Sequence, residues 1–175
     1  MDARQVIRAL KTPVTLLVLV AVVYFAAQWG WENARKPIPK PPPPPCVVKD
    51  VGPMLMPEHV YVQVYNGSEQ NGLAKRLGQI LSADGFKVPV RANAETSDHA
   101  TSVVVGHSED APEVVLVRQA FEEIAFRADG RADRTVDVII GAEQPVPLPN
   151  PEFGVAVPDG KACLPDPRQF AGTSS

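Results

Sequence analysis

Proline decides where this chain can be regular. Of its 19 prolines, seven fall in "KPIPKPPPPP", Lys36 to Pro45, and seven more between Pro145 and Pro167. A proline ring carries no N–H and fixes φ, so neither stretch can run as a helix interior or a central strand. Both read as flanks of one folded segment over about residues 58 to 142, and 175 residues leave room for one modest domain plus appendages.

Ahead of the first cluster, residues 14 to 31, "VTLLVLVAVVYFAAQWGW", carry no charge. As a helix at about 1.5 Å per residue the run reaches roughly 27 Å, barely a bilayer core, with Trp29 and Trp31 at the end where amphipathic rings favour an interface. Leader cleavage wants small residues at the last position and two before it, and ending at Ala26 or Ala27 puts Tyr24 or Phe25 there. An uncleaved single-pass anchor is therefore expected. Flanking charge does not orient it, because Arg4, Arg8 and Lys11 are matched by Arg35, Lys36 and Lys40.

Cysteine placement says more. Cys46 lies just beyond the proline run and Cys163 in the tail, so the pair brackets the domain like a staple made in an oxidising space outside the membrane; two unpaired thiols are the alternative. The expected layout is a cytoplasmic tail over 1–13, a transmembrane anchor over 14–31, a proline-rich extracytoplasmic linker over 32–57, the domain over 58–142 and a proline-rich tail over 143–175. Residues 1–45 hold six Lys/Arg against two Asp/Glu, a net +4, and residues 46–175 hold eleven against eighteen, a net −7. An acidic outer part lacks the basic footprint that nucleic acid demands.

Inside the domain, Val60, Val62 and Val64 alternate with Tyr61, Gln63 and Tyr65, the period of a half-buried strand. Leu73, Leu77, Ile80 and Leu81 then form one helical stripe, closed by Gly85. A second strand over 86–91 contains Pro89 and so belongs at a sheet edge. A third strand, Thr101 to Val105, precedes a helix for which Asp110 and Glu113 resemble a capping box and Val114, Val117, Phe121 and Ile124 supply the stripe. A last strand covers Val136 to Ile140. The order βαββαβ predicts an α+β, ferredoxin-like sandwich, with two helices on one face of a four-stranded antiparallel sheet.

The stretch that looks most like a site is "VYNGSEQNGLAK", residues 64 to 75. Gly67 and Gly72 have the spacing of a Walker A loop, but Leu73 and Ala74 stand where lysine and hydroxyl must be, so phosphate chemistry is excluded. Asn66-Gly67-Ser68 also fits a glycan acceptor. The plainer reading is a turn at Asn66 and Gly67, with Ser68 or Asn71 capping the helix. His59, His99 and His107 lack metal spacing, no serine sits in a nucleophile elbow, and neither cysteine has an activating context. No metal, cofactor or catalytic residue is expected.

"VYVQVYNGSEQNGLAKRLGQILSADGFKV", the "TSVVV" strand and the closing "DVIIG" together resemble the LytR C-terminal domain of Gram-positive, especially actinobacterial, envelope proteins, over roughly residues 58 to 142. In that family the domain often follows a catalytic LytR-CpsA-Psr domain that attaches glycopolymers to peptidoglycan, for which about 30 residues between anchor and first strand leave no room. The layout is similar to small actinobacterial envelope-integrity proteins, which implies non-catalytic work at the envelope. Three functions follow: a membrane-anchored module binding a cell-wall glycan or envelope protein, an accessory subunit docking another membrane protein, and a glycopolymer-transferase-type enzyme. The first is expected. Strand alternation places Tyr61, Gln63, Tyr65, Lys87, Arg91, Val104, Asp137 and Ile139 on the sheet face away from the helices, where Tyr61 and Tyr65 could stack on sugar rings and Lys87 and Arg91 hold anionic groups. Equally, the tail pulled back by Cys163 could cover that face.

Overall fold

The computed structural model describes residues 3–34 and 45–171. Residues 35–44 of the expected linker lie outside them. The chain divides into two units, Met1–Pro41 and Pro42–Ser175. In the first, α1 runs over Ala3–Ala34 and includes the whole uncharged run. Its large apolar side chains are exposed, Leu17 at 69% and Phe25 at 70%. Among the described residues no helix is long and apolar enough to cross a membrane, so the transmembrane anchor expected over 14–31 is not supported by the fold.

In the second unit the elements are β1 (Val47–Asp50), β2 (Met54–Leu55), β3 (Tyr61–Asn66), α2 (Leu73–Ala83), β4 (Lys87–Asn93), β5 (Val103–Gly106), α3 (Pro112–Arg118), β6 (Ala125–Ala128), β7 (Val136–Ile140), β8 (Val155–Ala156) and β9 (Lys161–Leu164). Five strands form one mixed sheet in the order β4-β3-β7-β5-β6. Strand β3 pairs in parallel with both β4 and β7, β5 pairs in parallel with β6, and only β5 and β7 are antiparallel. The α+β class holds; the four-stranded antiparallel ferredoxin-like sheet does not. Two right-sized crossovers explain the difference, because a strand, a helix and a return strand give parallel neighbours. The segments β3-α2-β4 and β5-α3-β6 are both of this kind, and β7 inserts between them. As Pro89 requires, β4 is an edge strand.

Within the central sheet the strand missed from sequence is β6; β1, β2, β8 and β9, in segments read as linker and tail, were not expected either. Helix α3 stops at Arg118 instead of continuing along the apolar stripe, and Phe121 and Ile124 are buried outside any helix. The capping box is also absent: Ala111 is the N-cap with no side-chain hydrogen bond, Pro112 opens the helix, and Glu113 turns inward to Arg134. Pro112 supplies a helix-ready φ without needing a cap for its missing N–H.

Both helices serve one core. Pairings Val62↔Val136, Val64↔Val138 and Val104↔Val138 put these valines on one sheet face, and each is fully buried. Leu77 and Leu81 of α2 and Val114 and Val117 of α3 join the same cluster. Each such side chain contributes about 1.5 to 3 kcal/mol through removal from water. Val104 thus belongs to the helix face, with Val103 and Val105 on the other, the reverse of the expected parity.

The flanks fold back on each other. Strand β1 pairs antiparallel with β9 and β2 with β8, so residues before and after the central sheet make two small ribbons. Leu55 and Leu164 carry these ribbons into the core at 0% and 1% exposure. Between Val48 and its partner Cys163 the register also sets Cys46 close enough for the disulfide to Cys163, with Cα atoms 5.3 Å apart.

Candidate functional site

Of the eight residues expected on the outer sheet face, Tyr61, Tyr65, Lys87 and Arg91 were the expected ligand contacts, and the structure brings the first three of these together. Lys87 pairs with Tyr61, but Val90 pairs with Gln63, so one extra residue enters β4 between them. This bulge around Pro89 reverses the parity of the strand. Arg91 consequently pairs with Val64 on the helix face, where its Nη2 donates to Ser82 Oγ at 2.8 Å and to Gly78 O at 3.5 Å. Gly78 lets the Arg91 side chain lie close against α2, where a Cβ would push it aside. Arg91 therefore does not stand beside Tyr61 and Tyr65.

Tyr61 is 9% exposed because the tail reaches it. After β9, a 3₁₀ turn over Pro167–Phe170 sets the Phe170 ring parallel to that of Tyr61, with centroids 4.9 Å apart and planes at 13°. The Lys87 ammonium lies 5.1 Å and the Lys49 ammonium 5.8 Å from the Tyr61 ring centroid. Lys49 Nζ also donates to Pro165 O at 3.2 Å, tying β1 to the start of the turn. Asp166 caps the turn, accepting from Arg168 N at 3.0 Å, and hydrogen bonds from Arg168 hold its carboxyl down at about 2.

Further along the same face the surroundings are ionic. Tyr65 Oη donates to Gln63 Oε1 at 2.5 Å. Arg131 donates from Nη2 to Asp137 Oδ2 at 2.8 Å and Asp129 Oδ2 at 2.6 Å, and from Nη1 to Thr135 Oγ1 at 2.9 Å. Burial opposes the charge on Arg131, but its hydrogen bonds to Asp137 and Asp129 outweigh this and raise it above its ordinary value. Burial pushes the Asp137 carboxyl up against the pull of Arg131, and burial with Asp137 raises the Tyr65 hydroxyl. Arg131 was not legible as a site residue, because it sits in the polar segment "ADGRADRT" with no periodicity.

At the opening stretch, Asn66 organises the turn from a buried position. Its Oδ1 accepts from Ser68 N at 3.2 Å and Ser68 Oγ at 2.9 Å, and its Nδ2 donates to Gln70 O at 2.7 Å. With the amide nitrogen enclosed, the glycan-acceptor pattern is not presented by the folded domain. Gly67 is required because a Cβ would meet the His99 ring. The expected cap is not made: the N-cap of α2 is Gly72 at φ +83°, with no side-chain hydrogen bond from Ser68 or Asn71. Glycine takes this left-handed geometry without a steric penalty, and no capping oxygen is supplied.

Among the described residues no group of three or more His, Cys, Asp or Glu could hold a metal ion. The arrangement offers stacking, charge and an enclosed turn. Residues 59–143 match the LytR_C family, described as "LytR cell envelope-related transcriptional attenuator". This segment is a LytR_C domain. A similar solved structure is the soluble domain of a conserved hypothetical secreted protein from Mycobacterium marinum, at 26% identity and a TM-score of 0.49, over 58% of this chain and 70% of that one. No curated protein matches the chain. The ribbons β1-β9 and β2-β8 lie outside the LytR_C match, apart from which the domain supplies all five strands of the central sheet. The Cys46–Cys163 disulfide, also outside it, belongs to an oxidising, extracytoplasmic setting.

Proposed function

We propose that this chain is a non-catalytic, membrane-anchored cell-envelope protein whose LytR_C domain lies outside the membrane and binds an envelope component, a cell-wall glycan or an envelope protein. The observation that carries this reading is the LytR_C match over residues 59–143, a family described as cell envelope-related. The disulfide supports an extracytoplasmic domain. The anchor is proposed from sequence alone, on the uncharged run at residues 14–31, since no described helix is long and apolar enough to cross a membrane. The net −7 of residues 46–175 argues for a partner other than nucleic acid.

Cell-wall retention tests the binding. The full chain in detergent is incubated with purified wall before and after protein removal. Retention on protein-free wall supports a glycan partner, retention lost with the wall proteins supports docking on a protein, and no retention on either overturns the binding reading. Topology has its own test: a reporter active only in the cytoplasm, fused after Ser175, should be silent, and strong activity would reverse the orientation.

A further inference from the structure

We infer that Tyr61, Lys87 and Lys49 form a binding site for a ring-bearing, anionic saccharide, and that Phe170 occupies this site as an internal stand-in that the ligand displaces. This rests on the proposal that the outer domain works by binding, and names the ligand class for its outer sheet face.

The Phe170 ring covers Tyr61 in the offset-parallel manner by which an aromatic platform receives a flat or pyranose ring. Two ammonium groups lie over the Tyr61 ring, 5.1 and 5.8 Å from its centroid. Phenylalanine offers no charge to Lys87, whereas Lys49 already acts on the Asp166 carboxylate. Lys49 is engaged by Pro165 O, while Lys87 is exposed and makes no salt bridge among the described residues. A cation of that kind beside an aromatic ring fits a carboxylate or phosphate carried on a sugar, with the ring on Tyr61 and the anion on Lys87.

The covering segment is built to leave. It is a single 3₁₀ turn, and the hydrogen bonds of Arg168 and Gln169 close inside it, onto Asp166. Docking also encloses Gln169 Nε2 without a hydrogen-bond partner among the described residues. A buried donor left unpaired opposes the closed state, and release to water removes that cost. The disulfide at Cys163 lies seven positions before Phe170, so the turn can lift while β9 stays paired with β1.

The test uses the full chain in detergent with Phe170→Ala, Lys87→Ala and the double variant Tyr61→Ala/Phe170→Ala. Probes are oligogalacturonate, an anionic pyranose chain, and a neutral malto-oligosaccharide of equal length, with affinities from titration calorimetry. F170A should bind oligogalacturonate about tenfold tighter than the parent chain, on the scale of one aromatic contact. The gain should vanish in the double variant, and K87A should weaken anionic binding alone. Equal affinity of F170A and the parent chain would overturn the displacement, and an equal gain for the neutral probe would overturn the anionic class. If F170A does not fold, a chain ending at Asp166 replaces it with the same criteria. Should the parent chain be retained on wall while F170A shows no change, this inference fails and the binding reading stands; should neither bind wall or probe, both fail.

Discussion

Cys46 and Cys163 close a loop of 117 positions around the LytR_C domain, joining the residue before β1 to the middle of β9. The bond therefore fixes the ribbon that brings the tail to Tyr61. Crosslinking a loop of this length removes unfolded-state entropy worth about 4 to 5 kcal/mol in the chain-entropy model. Cys46→Ser/Cys163→Ser should lower stability by up to about that amount, seen as a fall in the urea midpoint. A midpoint unchanged between oxidised and doubly substituted protein would show that the ribbon needs no staple.

The turn after β3 gives a sharper test of the cap. Asn66→Ala removes one donor and one acceptor from an enclosed site, leaving Gln70 O and Ser68 N without it, and should cost about 1 to 3 kcal/mol. Asn71→Ala should stay within about 0.5 kcal/mol, because Asn71 is exposed and makes no cap to α2. Equal losses in urea unfolding would restore Asn71 as a cap.

Gly141 ends β7 where backbones meet. A Cβ there would lie 2.5 Å from Thr101 C and O and 2.9 Å from His99 O, and backbone atoms cannot rotate aside. Gly141→Ala should destabilise by about 1 to 3 kcal/mol through forced displacement of the chain at 99–101. Amide exchange should quicken first around Ala142 N, which donates to His99 O at 2.8 Å. A variant as stable as the parent would show that this segment yields freely.

Glu113 predicts a pH dependence. Burial pushes its carboxyl above the ordinary 4.5, with Arg134 pulling the other way. The folded state then holds the proton to higher pH than the unfolded state, so the stability associated with this group is complete below 4.5 and is lost as pH rises through the raised value. Relative to Glu113→Gln, the parent chain should become less stable between pH 4.5 and 7 in urea unfolding. A relative gain over that window would mean that Arg134 dominates burial.

What the sequence determined by itself was local. The valine alternation of β3 and β7, the α2 stripe with its stop at Gly85, the edge position of β4 and the bracketing cysteines all follow from residue spacing, because periodicity and turn chemistry act within a few residues. The pairing partners did not follow. Alternation says which residues share a face but not which strand lies alongside, and parallel crossovers look in sequence like the antiparallel order expected here. Arg91 left its predicted face because one bulged residue at Pro89 reversed the parity of everything after it. Strand β6 was hidden because Phe121 and Ile124 extend an apolar stripe whose helix stops at Arg118, and burial alone does not encode conformation. The contact of Phe170 with Tyr61 spans more than one hundred residues, and only the paired ribbon β1-β9 and its disulfide bring those two rings together.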